Sequence, residues 1–192
     1  MNSNPTGKTQ YCNLPNCVTV LRIAGTLCLL FLRPLSPWFF VFYTLSGLTD
    51  VLDGWLARRT GTASGFGAKL DSIADLLFYA VVLVRIVPLL WLRLPQEVWY
   101  AVGAVLILRL SAYLAAAVKY RRFASLHTWL NKLTGVVVFL IPYVLFLPFA
   151  PLFCLSVCGI AAAAALEELL IHLCGKEYHP DTKGLWAELR SR

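Results

Sequence analysis

The chain has 192 residues, 59% of them apolar and only 14% charged, with 17 Lys and Arg against 10 Asp and Glu for a net charge of +7. Soluble domains carry about half apolar and roughly a quarter charged residues, so this composition excludes an ordinary water-soluble domain, a disordered chain and a collagen-like repeat. On a soluble protein the basic excess would point to nucleic acid; beside so much apolar sequence it faces anionic lipid headgroups, and no nucleic-acid partner is expected.

The N-terminus, Met1-Asn2-Ser3-Asn4-Pro5-Thr6-Gly7-Lys8, has no basic stretch running into an apolar one with a small-residue cleavage site. The first apolar block is therefore expected to stay in the mature chain. Crossing about 30 Å of hydrocarbon takes about 20 helical residues. Against that length, apolar blocks at 17–33, 36–57, 68–92, 97–118, 130–147 and 149–173 predict an all-α, polytopic membrane protein with six transmembrane helices in one domain covering 1–192. Breakers mark the borders: Pro34 and Pro37, the loop from Thr60 to Gly65, Pro95, then Pro148 and Pro151. A polar tail, about 175–192, follows the last block.

Basic residues in alternate loops set the orientation. Lys8, then Arg58, Arg59 and Lys69, then Lys119, Arg121 and Arg122, then Lys176, Lys183, Arg190 and Arg192 fall on one side, against mainly Arg33 and Arg93 on the other. That asymmetry places both termini and the 58–66 loop in the cytoplasm, with Trp38, Trp91 and Trp99 as anchors at the outer boundary. The six cysteines, Cys12, Cys17, Cys28, Cys154, Cys158 and Cys174, include no C-x-x-C pair, so neither a zinc site nor a disulfide framework is expected. Cys154 and Cys158, one helical turn apart in an apolar run, read as small buried hydrophobes.

Four of the five aspartates, Asp50, Asp53, Asp71 and Asp75, lie within 26 residues at the facing ends of the second and third blocks. On helices, Asp50 and Asp53 at i, i+3 share one face and Asp71 and Asp75 at i, i+4 share another. A short connection makes the two helices neighbours, so the carboxylates can converge. Ionised groups near the bilayer are costly and face a cavity with partners. Arg58, Arg59 and Lys69 are nearby, yet three bases do not easily thread between four close carboxylates. Two divalent ions are the better counter-charge: all-oxygen ligation suits Mg²⁺ or Mn²⁺, and a pair of such ions is the usual clamp for displacement at phosphorus. Gly47, Gly54, Ala57, Gly65, Gly67 and Ala74 are interleaved with the acids, leaving room for backbone or a flat ligand to approach.

Written out, the segment is Asp50-x-x-Asp53-Gly54-x-x-Ala57-Arg58, eight residues, then Gly67-x-x-x-Asp71-x-x-x-Asp75. It resembles the complete signature of the CDP-alcohol phosphatidyltransferases, with all eight fixed positions present. The opening Leu14-Pro15-Asn16-Cys17-Val18-Thr19-Val20-Leu21-Arg22 is similar to the start of the first span in many bacterial members. The resemblance implies transfer of a phosphatidyl group from CDP-diacylglycerol to a small alcohol with release of CMP, in a bacterial plasma membrane, with the active site toward the cytoplasm. By position, Asp50, Asp53, Asp71 and Asp75 would hold the two divalent ions, and Asp75 would take the acceptor's proton. Gly54, Ala57 and Gly67 would admit the donor nucleotide, Arg58 would contact its pyrophosphate, and Ser64 would assist. A homodimer is implied by the same analogy.

The acceptor rests on weaker signals. Arg109 lies inside the fourth block and Lys132 near the start of the fifth; a base at membrane depth is expected to be functional. With Lys119, Arg121 and Arg122 they could form an anion pocket, favouring a phosphorylated acceptor such as glycerol 3-phosphate or an inositol phosphate. An internal ion pair is the rival reading of Arg109. His127 is an interfacial histidine that could line the same pocket. Many glycerol-3-phosphate users carry Asp-Pro-x-Ala-Asp-Lys across the last two acids, whereas this chain has Asp71-Ser72-Ile73-Ala74-Asp75-Leu76, closer to serine- and inositol-using relatives. Remote alternatives are a cation transporter, against which the absence of a second copy of the 50–75 pattern counts, and a non-catalytic lipid-binding protein, which has no need of four acids.

Overall fold

The computed structural model describes residues 14–60, 65–121 and 128–174, and among them every regular element is helical. The helices are α1 (Leu14–Phe31), α2 (Pro37–Thr60), α3 (Gly65–Arg93), α4 (Gln96–Tyr120), α5 (Trp129–Phe139), α6 (Ile141–Val144) and α7 (Ala150–Cys174). Among the described residues three helices are long and apolar enough to cross a membrane: Lys69–Arg93 within α3, Gln96–Tyr120, and Ala150–Leu173 within α7. Asn16–Phe31 and Trp129–Phe139 are shorter apolar helices. The polar tail, Cys12, Ser64, Arg122 and His127 lie outside the described residues.

The chain divides into two compact units, Met1–Leu90 and Trp91–Arg192. In the first, α1 and α2 are joined by a tight turn in which Leu35 adopts a left-handed conformation (φ 61°). Ser36 ends the turn by accepting a hydrogen bond from the Phe39 amide at 3.2 Å, with Pro37 at the first helical position. Both features are ordinary helix-start chemistry, an oxygen for an orphan amide and a residue without one. The two helices approach closely at Gly25, where a Cβ would lie 3.2 Å from Ser46 Oγ and 3.7 Å from the Phe42 ring. Tyr43 links α2 to both sides, stacking on Phe39 within its own helix at 6.0 Å and on Phe78 of α3 at 5.5 Å. Arg85 of α3 donates to the Leu32 carbonyl just past the end of α1, a cation where the helix dipole is negative. The hydroxyls of Thr44 and Thr49 bond back to the carbonyls of Phe40 and Leu45, which removes polar hydrogen from an apolar setting.

In the second unit α7 is the central helix, packed against α4, α5 and α6. Its buried stripe, Cys154, Val157, Ala161, Ala164, Ala165, Glu168, Ile171 and His172, repeats at three and four residues. Ala112 and Ala116 on α4 and the alanines of α7 are buried, and small side chains of this kind let helix axes approach closely. Thr128 caps α5, its Oγ1 accepting from the Asn131 amide at 3.3 Å. Lys119, in the last turn of α4, donates to the final carbonyls of α7 at His172 and Leu173.

The block at 130–147 differs from the single helix expected there. It is divided into α5 and α6, with Leu140 between them donating to Val137 over 3.2 Å in a tightened turn. The cause is Pro142, which has no amide to offer the preceding turn and whose ring crowds it. Among the described residues Cys17, Cys28, Cys154 and Cys158 are free thiols, Cys154 buried and Cys158 half-buried.

Candidate active site

The signature aspartates lie on two helices. Asp50 lies on α2 with Asp53 one turn further along, and Asp71 and Asp75 lie one turn apart on α3. Fully buried Ala74, next to Asp75, leaves α3 without bulk on its inner side at this level. Asp50, Asp71 and Asp75 each present an oxygen, and these oxygens all lie within 4.8 Å of one another. Their side chains are roughly half exposed, so the cluster opens to solvent rather than being sealed in the apolar interior.

Among the described side chains, the cation at this cluster comes from α1. Arg22, almost fully buried, bonds through Nη1 to Asp50 and through Nη2 to the Asp71 side chain, with the Asp71 carbonyl 3.3 Å away and Asp75 Oδ1 3.2 Å from Nη1. One guanidinium thus meets three carboxylates from two helices. Arg22 belongs to a buried polar stripe, Asn16, Thr19, Arg22 and Thr26, spaced at three and four residues on one face of α1. Buried polar side chains on an apolar helix are tolerated only where they meet partners, and for Arg22 the aspartate cluster supplies them. Resemblance at the start of the first span does not by itself assign Arg22 a role. Its signal was legible: one polar stripe on an otherwise apolar helix.

Of the donor-contact residues, Gly54, Ala57 and Arg58 lie on the last turns of α2 and Gly67 in the first turn of α3. The residues named for the acceptor belong to the second unit. Arg109 of α4 bonds to the buried carboxylate of Glu168 on α7 and, at 2.9 Å, to Asn131 Oδ1 on α5; Asn131 Nδ2 donates to the same carboxylate at 3.1 Å. The rival reading, an internal ion pair, has its partner in Glu168, an acid at membrane depth that sequence reasoning did not name. His172, one turn beyond, has Nε2 3.8 Å from Glu168 and its ring against Tyr120. Lys132 is exposed, its ammonium 5.4 Å from the centre of the Trp129 ring. Arg121 is exposed in a left-handed conformation at the C-cap of α4.

An all-oxygen carboxylate set is the donor chemistry that Mg²⁺ and Mn²⁺ take. Oxygens across one octahedral Mg²⁺ sit about 4.2 Å apart, twice the metal–oxygen distance of about 2.1 Å, so a spread of 4.8 Å needs only rotamer-scale closure. The residues present fit such an ion.

The family model described as CDP-alcohol phosphatidyltransferase matches residues 12–171, a stretch that contains Arg22 and all four aspartates. The chain belongs to the CDP-alcohol phosphatidyltransferase family. It is 36% identical over 133 residues to a CDP-diacylglycerol–glycerol-3-phosphate 3-phosphatidyltransferase of Pseudomonas fluorescens, covering 64% of this chain and 67% of that protein. It is 40% identical over 80 residues to a protein of the same name from Cereibacter sphaeroides, 38% of this chain and 36% of the relative. A CDP-diacylglycerol–serine O-phosphatidyltransferase of Methanocaldococcus jannaschii is 45% identical over 64 residues, 33% of this chain and 29% of the relative. The aligned stretches thus span from about two thirds to under a third of these relatives' lengths. No solved structure matches the chain.

Proposed function

We propose that the protein transfers a phosphatidyl group from CDP-diacylglycerol to an alcohol, releasing CMP. The observation that carries this is the convergence of Asp50, Asp71 and Asp75, three fixed positions of the family signature, on one group of oxygens. In the reaction the acceptor hydroxyl oxygen forms a bond to the β-phosphorus of the CDP group, the bond from that phosphorus to CMP breaks, and the hydroxyl proton leaves. Asp75 is the base that accepts it. Asp50, Asp53, Asp71 and Asp75 would hold two divalent ions, Mg²⁺ or Mn²⁺, which when bound neutralise charge on the pyrophosphate. Arg58 and Ser64 contact that pyrophosphate, and Gly54, Ala57 and Gly67 leave space for the nucleotide. Phosphoryl transfer asks mainly for positioning and charge neutralisation, and residues at fixed spacing along α2 and α3 provide the first.

Glycerol 3-phosphate is the leading acceptor, supported by the names of the relatives from Pseudomonas and Cereibacter. A second reading, with serine, inositol or an inositol phosphate as acceptor, is favoured by Ser72 and Leu76 around the last acids and by the serine-using relative. Lys132 and Arg121 are the remaining acceptor contacts of choice, because Arg109 has its charge matched by Glu168. The proposed setting is a bacterial plasma membrane crossed six times, with both termini and the active site on the cytoplasmic side and two copies of the chain forming a homodimer. The test is CMP release by purified protein from CDP-diacylglycerol with glycerol 3-phosphate, serine, inositol and inositol phosphate offered separately. One acceptor should stand out by at least an order of magnitude, and absence of CMP with all four would refute the proposal.

A further inference from the structure

We infer that Arg22 is an exchangeable counter-ion: its guanidinium occupies the seat among Asp50, Asp71 and Asp75 and competes with divalent cations for the same oxygens. The inference rests on the proposed metal-dependent reaction and adds to it a residue outside the signature.

Three observations lead there. Arg22 does not lie beside the cluster but within it, reaching carboxylates on both α2 and α3 through two different nitrogens. Its own side chain is almost fully buried while the three carboxylates are roughly half exposed. The guanidinium therefore approaches from the protein side, and the opposite side of the oxygens faces solvent, from which an ion arrives. Asn16, Thr19 and Thr26 lie on the same face of α1 as Arg22 and are buried with it, so the guanidinium stands in a polar rather than an apolar strip of the helix surface. Guanidinium is suited to this task because it is charged at every accessible pH and its planar fork bonds two carboxylates at once.

Electrostatics fixes the direction of the effect. Three carboxylates within 4.8 Å of one another repel strongly, and a single positive charge relieves part of that repulsion. A divalent ion entering the cluster must then approach a cation already present, so the guanidinium lowers the affinity of the site while protecting the fold when divalent ions are scarce. Two charges about 4 Å apart at a partly screened site interact by enough to change an equilibrium constant more than tenfold. A residue that merely orients the carboxylates for an ion would act in the opposite sense, and its loss would weaken binding.

The experiment uses the full chain purified in detergent or nanodiscs without lipid substrate, titrated with Mn²⁺ and followed by electron paramagnetic resonance and by thermal unfolding. Arg22→Met keeps an unbranched stem comparable to the aliphatic part of arginine and removes the charged head. It should bind Mn²⁺ about tenfold or more tightly than wild type, unfold at lower temperature after chelation, and gain more from saturating Mn²⁺. Arg22→Lys, which restores the charge, should return the affinity to near the wild-type value. Asp71→Asn reports whether the bound Mn²⁺ belongs to the cluster. Equal or weaker Mn²⁺ binding by Arg22→Met overturns the inference, as does failure of that variant to fold even with saturating Mn²⁺. If wild type itself shows no Asp71-dependent Mn²⁺ binding, the metal reading of the proposed function falls; if wild type binds and Arg22→Met binds no more tightly, only the role of Arg22 falls.

Discussion

Arg109 offers a sharp test because its two readings differ in what they perturb. Glu168 is completely buried, and its carboxylate is held by Arg109 and by Asn131 at 3.1 Å. Replacing Arg109 with Met leaves that carboxylate in the interior without a cation, a change that costs about 3–5 kcal/mol when a buried pair loses one member. The Asn131 amide remains as a donor, which places the expected loss near the lower end, about 3 kcal/mol. Glu168→Gln should cost less, because the Arg109 side chain is 21% exposed and keeps some access to solvent. The double variant Arg109→Met with Glu168→Met removes both charges together and should recover a good part of the loss, since a buried pair replaced by apolar side chains is often close to neutral. Unfolding in mixed micelles, run as a double-mutant cycle, measures the coupling, and the Michaelis constants for donor and acceptor are recorded for the same proteins. If Arg109→Met keeps wild-type stability and raises only the acceptor's constant, the ion-pair reasoning is refuted and Arg109 is an acceptor contact.

Asp75→Asn should abolish CMP release while the protein still inserts and folds, and chelation of divalent ions should do the same reversibly on wild type; wild-type turnover in Asp75→Asn would remove it from the role of base. Gly25→Val should destabilise the first unit by about 1–3 kcal/mol, the usual cost of overpacking, because its Cβ alone would sit 3.2 Å from Ser46 Oγ. Adding Ser46→Ala should relieve part of that loss in a thermal unfolding assay. Gly103→Ala, which meets nothing within 4 Å, is the control and should be neutral or stabilise by up to about 1 kcal/mol.

Much of the candidate site was legible in the sequence because the features that build it are local. Asp71 and Asp75 are a helical turn apart in the chain, so their shared face follows from 3.6 residues per turn, and Asp50 and Asp53 follow in the same way. The short link from α2 to α3 then brings Asp50 to Asp71 and Asp75. Arg22 was harder to assign, since its partners are 28 and 49 residues away and nothing in its immediate neighbours identifies them. Glu168 was overlooked for the same reason: it meets Arg109 across 59 residues. The division of the fifth apolar block was hidden by its hydropathy, which does not distinguish a continuous helix from one interrupted at Pro142.

By itself, the sequence determined that the chain is helical, apolar enough for a bilayer and equipped with the eight fixed positions of a CDP-alcohol phosphatidyltransferase. These are properties of composition and of spacing along one chain. Only the tertiary structure decided which cation answers which acid: Arg22 goes to the aspartates of α2 and α3, and Arg109 goes to Glu168. The rotation of each helix about its axis chooses those partners. Packing across all the helices of a unit sets that rotation, and the period of any single helix leaves it open.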